Sequence, residues 1–216
     1  MTPVRRALFR AALACGALAL AATFGAAAQA PATAVAPAPP LAGTALRDAL
    51  QRGGYVLYFR HTSTDFGQND EGMTSFDDCT RQRNLTDKGR AEARAIGAAI
   101  ARLKIPVGEV LASPYCRTLE TARLIFGRAT VSMDVRGGPA TPSAPDRYAG
   151  LRKLLSTPVG GGTNLAISSH GNPFHAVAGP PYLAEGEVAI IEPRGAEGFS
   201  IVANITRDGW GALDKG

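Results

Sequence analysis

Between Leu41 and the C-terminus, short apolar runs alternate with longer amphipathic stretches, and this alternation limits the possible folds more than any other feature of the chain. Apolar runs of about four to eight residues predict buried strands, whereas apolar residues at every third and fourth position predict helices. Strands that alternate with helices are typical of a sheet with helices packed on its faces. We therefore predict an α/β fold, a three-layer α/β/α sandwich with a mostly parallel central sheet.

The elements follow from the same pattern. Thr86 is a plausible N-cap of a long helix, and Ser113 with Pro114 predicts the start of the helix that carries Arg117. The polar, irregular segment 60–84 predicts a long loop. The apolar runs predict strands at 55–59, 109–112, 164–168, 187–191 and 199–205.

The N-terminal residues have the composition of an export signal. Arg5, Arg6 and Arg10 precede an Ala/Leu-rich run that ends in small residues. This run is shorter than the roughly 20 residues that a membrane span requires, so no stable membrane anchor is expected after cleavage. The protein is therefore expected to be periplasmic or secreted, and the paired arginines leave both general and twin-arginine export open.

This signal divides the chain into three segments. We predict a signal peptide over residues 1–28, cleaved after Ala28, and an Ala/Pro-rich tether over residues 29–40. Residues 41–216 then form one folded domain. The signal peptide holds three of the 23 Lys and Arg residues and none of the 18 Asp and Glu residues, so the remainder has a net charge of +2. Without a cluster of basic residues, no nucleic-acid partner is expected.

Export also determines how the cysteines are interpreted. After cleavage only Cys79 and Cys116 remain, and an oxidising compartment favours a disulfide between them. No His/Cys group has the spacing of a metal site, so we expect neither a metal nor a cofactor.

Two histidines mark the candidate site. His61 and His170 each follow an apolar strand run, and ligands of α/β sheets bind beyond the carboxyl ends of such strands. Arg60 and Arg117 are expected at the same edge, where guanidinium groups bind phosphate oxygens. Nearby arginines and burial also keep a histidine neutral, which nucleophilic attack on phosphorus requires. The pattern predicts a phosphate site with His61 as nucleophile.

Four ordered motifs around these residues resemble the histidine phosphatase (phosphoglycerate mutase-like) superfamily, in an exported, branch-1-type form. The resemblance implies that His61 is the phosphorylated nucleophile and that Arg60, Arg117 and His170 bind the phosphate. Thr64 is implied as a hydroxyl contact. The motifs are RHTST at 60–64, LTDKGR at 85–90, LASPYCRT at 111–118 and SSHG at 168–171.

The chain departs from the family pattern in two respects. Thr62 stands where the family most often has glycine, and the family's frequent proton donor, a glutamate between the second arginine and second histidine, has no clear counterpart. The departing alkoxide still needs a proton. We rank Glu187 as its source slightly ahead of Asp65.

These observations predict an exported, metal-independent phosphatase that hydrolyses a phosphate monoester through a phosphohistidine. The expected partners are a phosphorylated small molecule or an envelope glycolipid phosphate, and a phosphoprotein is also open. The alternative is a non-catalytic protein that binds a phosphate ligand on the same scaffold. Arg81, Gln82 and Arg83 either bind the substrate beyond its phosphate or are exposed loop residues, and we favour the latter.

Overall fold

The computed structural model describes residues 40–138 and 146–214. The predicted signal peptide and residues 29–39 of the predicted tether lie outside the described residues, so both remain predictions.

The described residues contain one six-stranded mixed sheet. Its order is β3-β2-β4-β1-β5-β6, with the first four strands parallel and the last two antiparallel to their neighbours. The prediction of a mostly parallel sheet is confirmed, and β3, a two-residue exposed strand, is the one that the apolar pattern missed. The strands are β1 Val56–Arg60, β2 Val107–Ala112, β3 Thr130–Val131, β4 Asn164–Ser169, β5 Val188–Pro193 and β6 Phe199–Ile205.

Five α-helices are described, and they cover both faces of the sheet. Buried residues of the first three pack in one apolar cluster with one face of the strands, and residues of the last two pack in a second cluster with the other face. This arrangement confirms the three-layer sandwich. The helices are α1 Gly43–Arg52, α2 Asp87–Arg102, α3 Cys116–Phe126, α4 Ala149–Ser156 and α5 Gly171–Ala178. None of the helices in the described ranges is long and apolar enough to cross a membrane.

The two predicted helix starts have different outcomes. Thr86 caps α2, since its hydroxyl oxygen accepts from the backbone N–H of Gly89 at 3.0 Å. The prediction for Ser113 and Pro114 is wrong, because α3 begins at Cys116 after Tyr115. The Ser113 hydroxyl lies 2.8 Å from a ring nitrogen of His170, so a tertiary contact replaces the cap.

The register of the parallel strands gathers the residues that follow them at one edge. Arg60 at the end of β1 pairs with Ser169 at the end of β4, and Ala112 at the end of β2 pairs with Ser168. His61, Ser113 and His170 follow directly. The sheet therefore brings three segments that are distant in sequence to one place.

Candidate active site

His61 is buried, with 1% of its surface exposed, and its ring is held in one orientation. Its Nδ1 lies 3.0 Å from the carbonyl oxygen of Thr62, which can only accept a hydrogen bond. Nδ1 therefore carries the proton of the neutral ring, and Nε2 carries the lone pair. The main chain is fixed as well, because the N–H of His61 donates to the Ser169 carbonyl at 3.0 Å.

The surroundings keep this ring neutral. Burial lowers the pKa of His61 from 6.5 to about 3, and the nearby charges of Arg117, Arg60 and Arg83 act in the same direction. The hydrogen bond to Thr62 opposes them. Burial also lowers the pKa of His170 well below its usual value, again with help from Arg117. Both histidines are thus uncharged at neutral pH.

These shifts predict a dependence of stability on pH. Between pH 6.5 and about 3, the unfolded chain binds a proton at His61 that the folded protein does not, so the free energy of unfolding should fall as the pH drops. The contribution of His61 should reach about 1.4 kcal/mol per pH unit. Urea unfolding at pH 7 and pH 5 would measure it, with His61→Gln expected to show the shallower decrease. Equal decreases in both proteins would contradict the prediction.

Arg117 lies in the first turn of α3 and is 5% exposed. Its Nη1 donates to Asp70 Oδ1 at 2.9 Å and to the Arg83 carbonyl at 3.2 Å, while Nη2 lies 3.5 Å from His170 Nδ1. Glu120, three residues further along α3, pairs with Arg90 at 2.7 Å and not with Arg117. Arg117 is therefore directed into the histidine cluster.

Arg60 is anchored on the other side of His61. Its Nη1 donates to the Leu183 carbonyl at 2.7 Å, and its Nη2 lies 3.6 Å from Glu185 Oε1. The same carboxylate binds Thr64 twice, at Oε1 from the hydroxyl (2.7 Å) and at Oε2 from the backbone N–H (3.2 Å). Glu185 thus fixes both Arg60 and Thr64 beside His61.

Three arginines near the histidines have an unsatisfied donor. The Nε atoms of Arg60, Arg83 and Arg117 are buried and have no hydrogen-bond partner in the described part of the chain. A buried donor without an acceptor is costly, and an anion with several oxygens would supply acceptors. This chemistry fits a phosphoryl group.

His170 completes the cluster from the end of β4. Its ring centroid lies 5.5 Å from that of His61, and its carbonyl accepts from the buried Tyr58 hydroxyl at 2.9 Å. Nε2 lies 2.8 Å from Ser113 Oγ. Tyr58 therefore holds the main chain of His170 and Ser113 holds its ring, with Nδ1 on the side of Arg117.

Thr62 fits the site without an unusual backbone. Among the described non-glycine residues, Lys104 alone has a positive φ, so the position of Thr62 does not require glycine. The Thr62 hydroxyl is fully buried and lies 3.4 Å from that of Thr121 on α3.

The structure does not bring the two predicted proton donors into this cluster. Glu187 bends back on its own turn, where Oε2 accepts from the Ala184 N–H at 2.7 Å. Asp65 is exposed, and its Oδ1 accepts from the Gly67 N–H at 2.8 Å. Among the described residues, the carboxylates in contact with the site arginines are instead Asp70 and Glu185, neither of which is predicted from the sequence. Glu185 is only two residues from Glu187, but Asp70 lies in an irregular loop with no pattern to mark it.

The expectation that 81–83 are exposed loop residues holds only in part. Arg81 is exposed, but Gln82 is buried and binds the backbone N–H of Cys116 at 2.9 Å through Oε1. Arg83 is half-buried, and its charge lowers the pKa of both site histidines. Arg83 therefore belongs to the charged cluster.

The predicted disulfide between Cys79 and Cys116 is confirmed. The bridge spans 37 positions, with its Cα atoms 5.7 Å apart. Because Cys116 directly precedes Arg117, the bridge ties the loop that carries Asp70 and Arg83 to the start of α3. In the described ranges, no group of three His, Cys, Asp or Glu residues could hold a metal ion.

Fold and site together describe an α/β sandwich protein with a candidate anion site, formed by arginines and neutral histidines at the strand ends. A family model agrees with this class, since that of the histidine phosphatase superfamily (branch 1) matches residues 56–138. The match includes His61 and Arg117 and ends before His170. Over these residues, the match confirms the resemblance to the histidine phosphatase superfamily.

Solved structures agree on the fold. The protein histidine phosphatase SixA complexed with tungstate is 18% identical, with 71% of this chain and 97% of that chain covered and a TM-score of 0.50. A second protein, from Thermus thermophilus, is 16% identical, with 70% of this chain and 99% of that chain covered, also at 0.50. At such identity the likeness concerns the fold alone. Among curated proteins, the chain has no significant match.

Proposed function

We propose that this chain is an exported phosphatase that hydrolyses a phosphate monoester through a phosphohistidine at His61. The observation that carries the proposal is the state of His61: a buried, neutral ring whose Nδ1–H is committed to Thr62 and whose Nε2 lone pair has arginines nearby. A histidine in this state is an activated nucleophile.

The chemistry follows from the contacts. Arg60, Arg117 and His170 bind the phosphoryl oxygens, and their fixed positions stabilise the charge that redistributes in the transition state. Nε2 of His61 forms a bond to phosphorus while the ester oxygen departs. Water then attacks the phosphohistidine, which releases phosphate and restores the lone pair on Nε2. No step requires a metal ion.

The N-terminus and the fold support a substrate class. The signal-like N-terminus supports a periplasmic or secreted location, and with it an envelope sugar phosphate, a glycolipid phosphate or a phosphoprotein as substrate. SixA, which shares the fold, is described as a protein histidine phosphatase.

The test is to measure turnover of 4-nitrophenyl phosphate and a panel of sugar phosphates by the protein without its predicted signal peptide, in the presence of EDTA. We expect release of phosphate and an acid-labile, alkali-stable phosphoenzyme after rapid quenching. Tight phosphate binding without turnover of any substrate would instead support the non-catalytic binding protein. Loss of turnover in EDTA would contradict the metal-independent mechanism.

Ser113 is predicted to support this reaction through His170. Ser113 Oγ lies 2.8 Å from Nε2 of His170, and this hydrogen bond holds the ring beside Arg117. We expect Ser113→Ala to weaken phosphate binding and to lower kcat/KM about tenfold, the cost of one hydrogen bond. The exposed Ser75→Ala is the matched control. Unchanged phosphate affinity in Ser113→Ala would contradict this role.

A further inference from the structure

Hydrolysis of an alkyl phosphate leaves an alkoxide, which needs a proton as the P–O bond breaks. The inference below rests on the proposed function and concerns the source of that proton. Two carboxylates among the described residues contact the site arginines, Asp70 and Glu185. Their hydrogen bonds distinguish them.

Glu185 has no free carboxylate oxygen. Oε1 accepts from the Thr64 hydroxyl and lies 3.6 Å from Arg60 Nη2, and Oε2 accepts from the Thr64 backbone N–H. Its side chain is 13% exposed. The Glu185 carboxylate is thus committed to holding Arg60 and Thr64 in place.

Asp70 is positioned through one of its two carboxylate oxygens. Oδ1 accepts both from Arg117 Nη1 and from the backbone N–H of Arg83, each at 2.9 Å. Oδ2 has no hydrogen bond to any residue of the described ranges, and the side chain is 30% exposed. Asp70 therefore combines a fixed position with a side chain that is partly exposed to solvent.

The position of Asp70 is set by the arginine that binds the phosphate. The Arg117 guanidinium contacts Asp70 through Nη1 and approaches His170 through Nη2, so Asp70 and His170 flank the same group. A phosphoryl group bound by Arg117 lies next to Asp70.

We propose that Asp70 is the catalytic residue that protonates the leaving oxygen. As Nε2 of His61 forms its bond to phosphorus, the P–O bond to the alcohol breaks, and the ester oxygen takes the bonding pair and the proton of the Asp70 carboxyl group. The Asp70 carboxylate then takes a proton from the attacking water. That water forms its bond to phosphorus as the P–N bond breaks, and Nε2 regains its lone pair.

The experiment compares leaving groups in wild type and Asp70→Asn. Asparagine keeps an acceptor oxygen for Arg117 but cannot deliver a proton. The probes are 4-nitrophenyl phosphate, phenyl phosphate and glycerol phosphate. Their leaving oxyanions are increasingly basic in this order and therefore need a proton increasingly. The measured quantity is kcat/KM, which includes departure of the alcohol. Asp77→Asn is the matched control, an exposed aspartate of the same loop.

We expect Asp70→Asn to lower kcat/KM for glycerol phosphate about a hundredfold or more, and to change it little for 4-nitrophenyl phosphate, whose leaving group needs little protonation. An equal loss on all three esters would overturn the proposal, because Asp70 would then only position Arg117. No loss on any ester, or a leaving-group dependence in Glu187→Gln instead, would also overturn it. In these cases wild-type turnover persists, and the phosphatase function remains intact. Absence of wild-type turnover on every ester would remove both.

Discussion

Replacing His61 with alanine is expected to abolish phosphatase activity, with a loss in kcat of about 10⁴-fold or more, because the variant lacks the proposed nucleophile. The acid-labile phosphoenzyme should disappear in the same variant. Binding of a phosphate analogue such as tungstate should persist, since Arg60, Arg117 and His170 remain. Steady-state turnover, rapid quenching and calorimetry would measure the three quantities.

His175→Ala is the matched control, because His175 is the remaining histidine of the chain and its side chain is exposed on α5. It should retain both turnover and the phosphoenzyme. A phosphoenzyme that persists in His61→Ala would move the nucleophile elsewhere. Turnover that persists without any phosphoenzyme would point to direct attack by water.

Removing the disulfide is the change with the largest expected effect on stability. The bridge closes a loop of 37 positions, and the Cys79→Ser/Cys116→Ser double variant should lose about 3–4 kcal/mol of unfolding free energy in the chain-entropy model. Urea unfolding of the oxidised protein and the double variant would measure the difference. Reduction of the wild type should give a similar loss.

The same variant tests the link between the bridge and the site. The loop that the bridge ties to α3 carries Asp70 and Arg83, which bind Arg117. A looser loop should therefore raise KM for a phosphate ester as well as lower stability. Equal stability of the two proteins, or two free thiols in the denatured, unreduced wild type, would contradict the disulfide.

The predictable parts of the fold are those with a strong local pattern. The continuous apolar run at 55–59 is buried on both faces of the sheet and is recovered as β1 with a shift of one residue. Strand β3 was not predicted, because its two residues, Thr130 and Val131, are exposed and lie in a Gly- and Pro-rich stretch. The helix start predicted at Ser113 was wrong because a local capping signal cannot show that the Ser113 hydroxyl binds His170 instead.

The site divides in the same way. His61, Arg60 and His170 follow apolar strands, and parallel strands bring their carboxyl ends to one edge, so their convergence was predictable from sequence order. Asp70 and Glu185 lie in loops, where no periodicity reports the direction of a side chain. Their contacts depend on the disulfide, on the bridge between Thr64 and Leu85 and on the guanidinium groups that face them.

Local patterns of the sequence therefore predict the sandwich, the sheet edge that carries the candidate site and the residue proposed as nucleophile. These follow from apolar periodicity and from the residues placed directly after strands, which are local properties of the chain. Which carboxylates reach the arginines depends on the tertiary structure, because burial, charge pairing and the Cys79–Cys116 disulfide act between segments far apart in sequence. Glu187 and Asp65 bind their own turns, whereas Asp70 binds Arg117 across 47 positions of sequence.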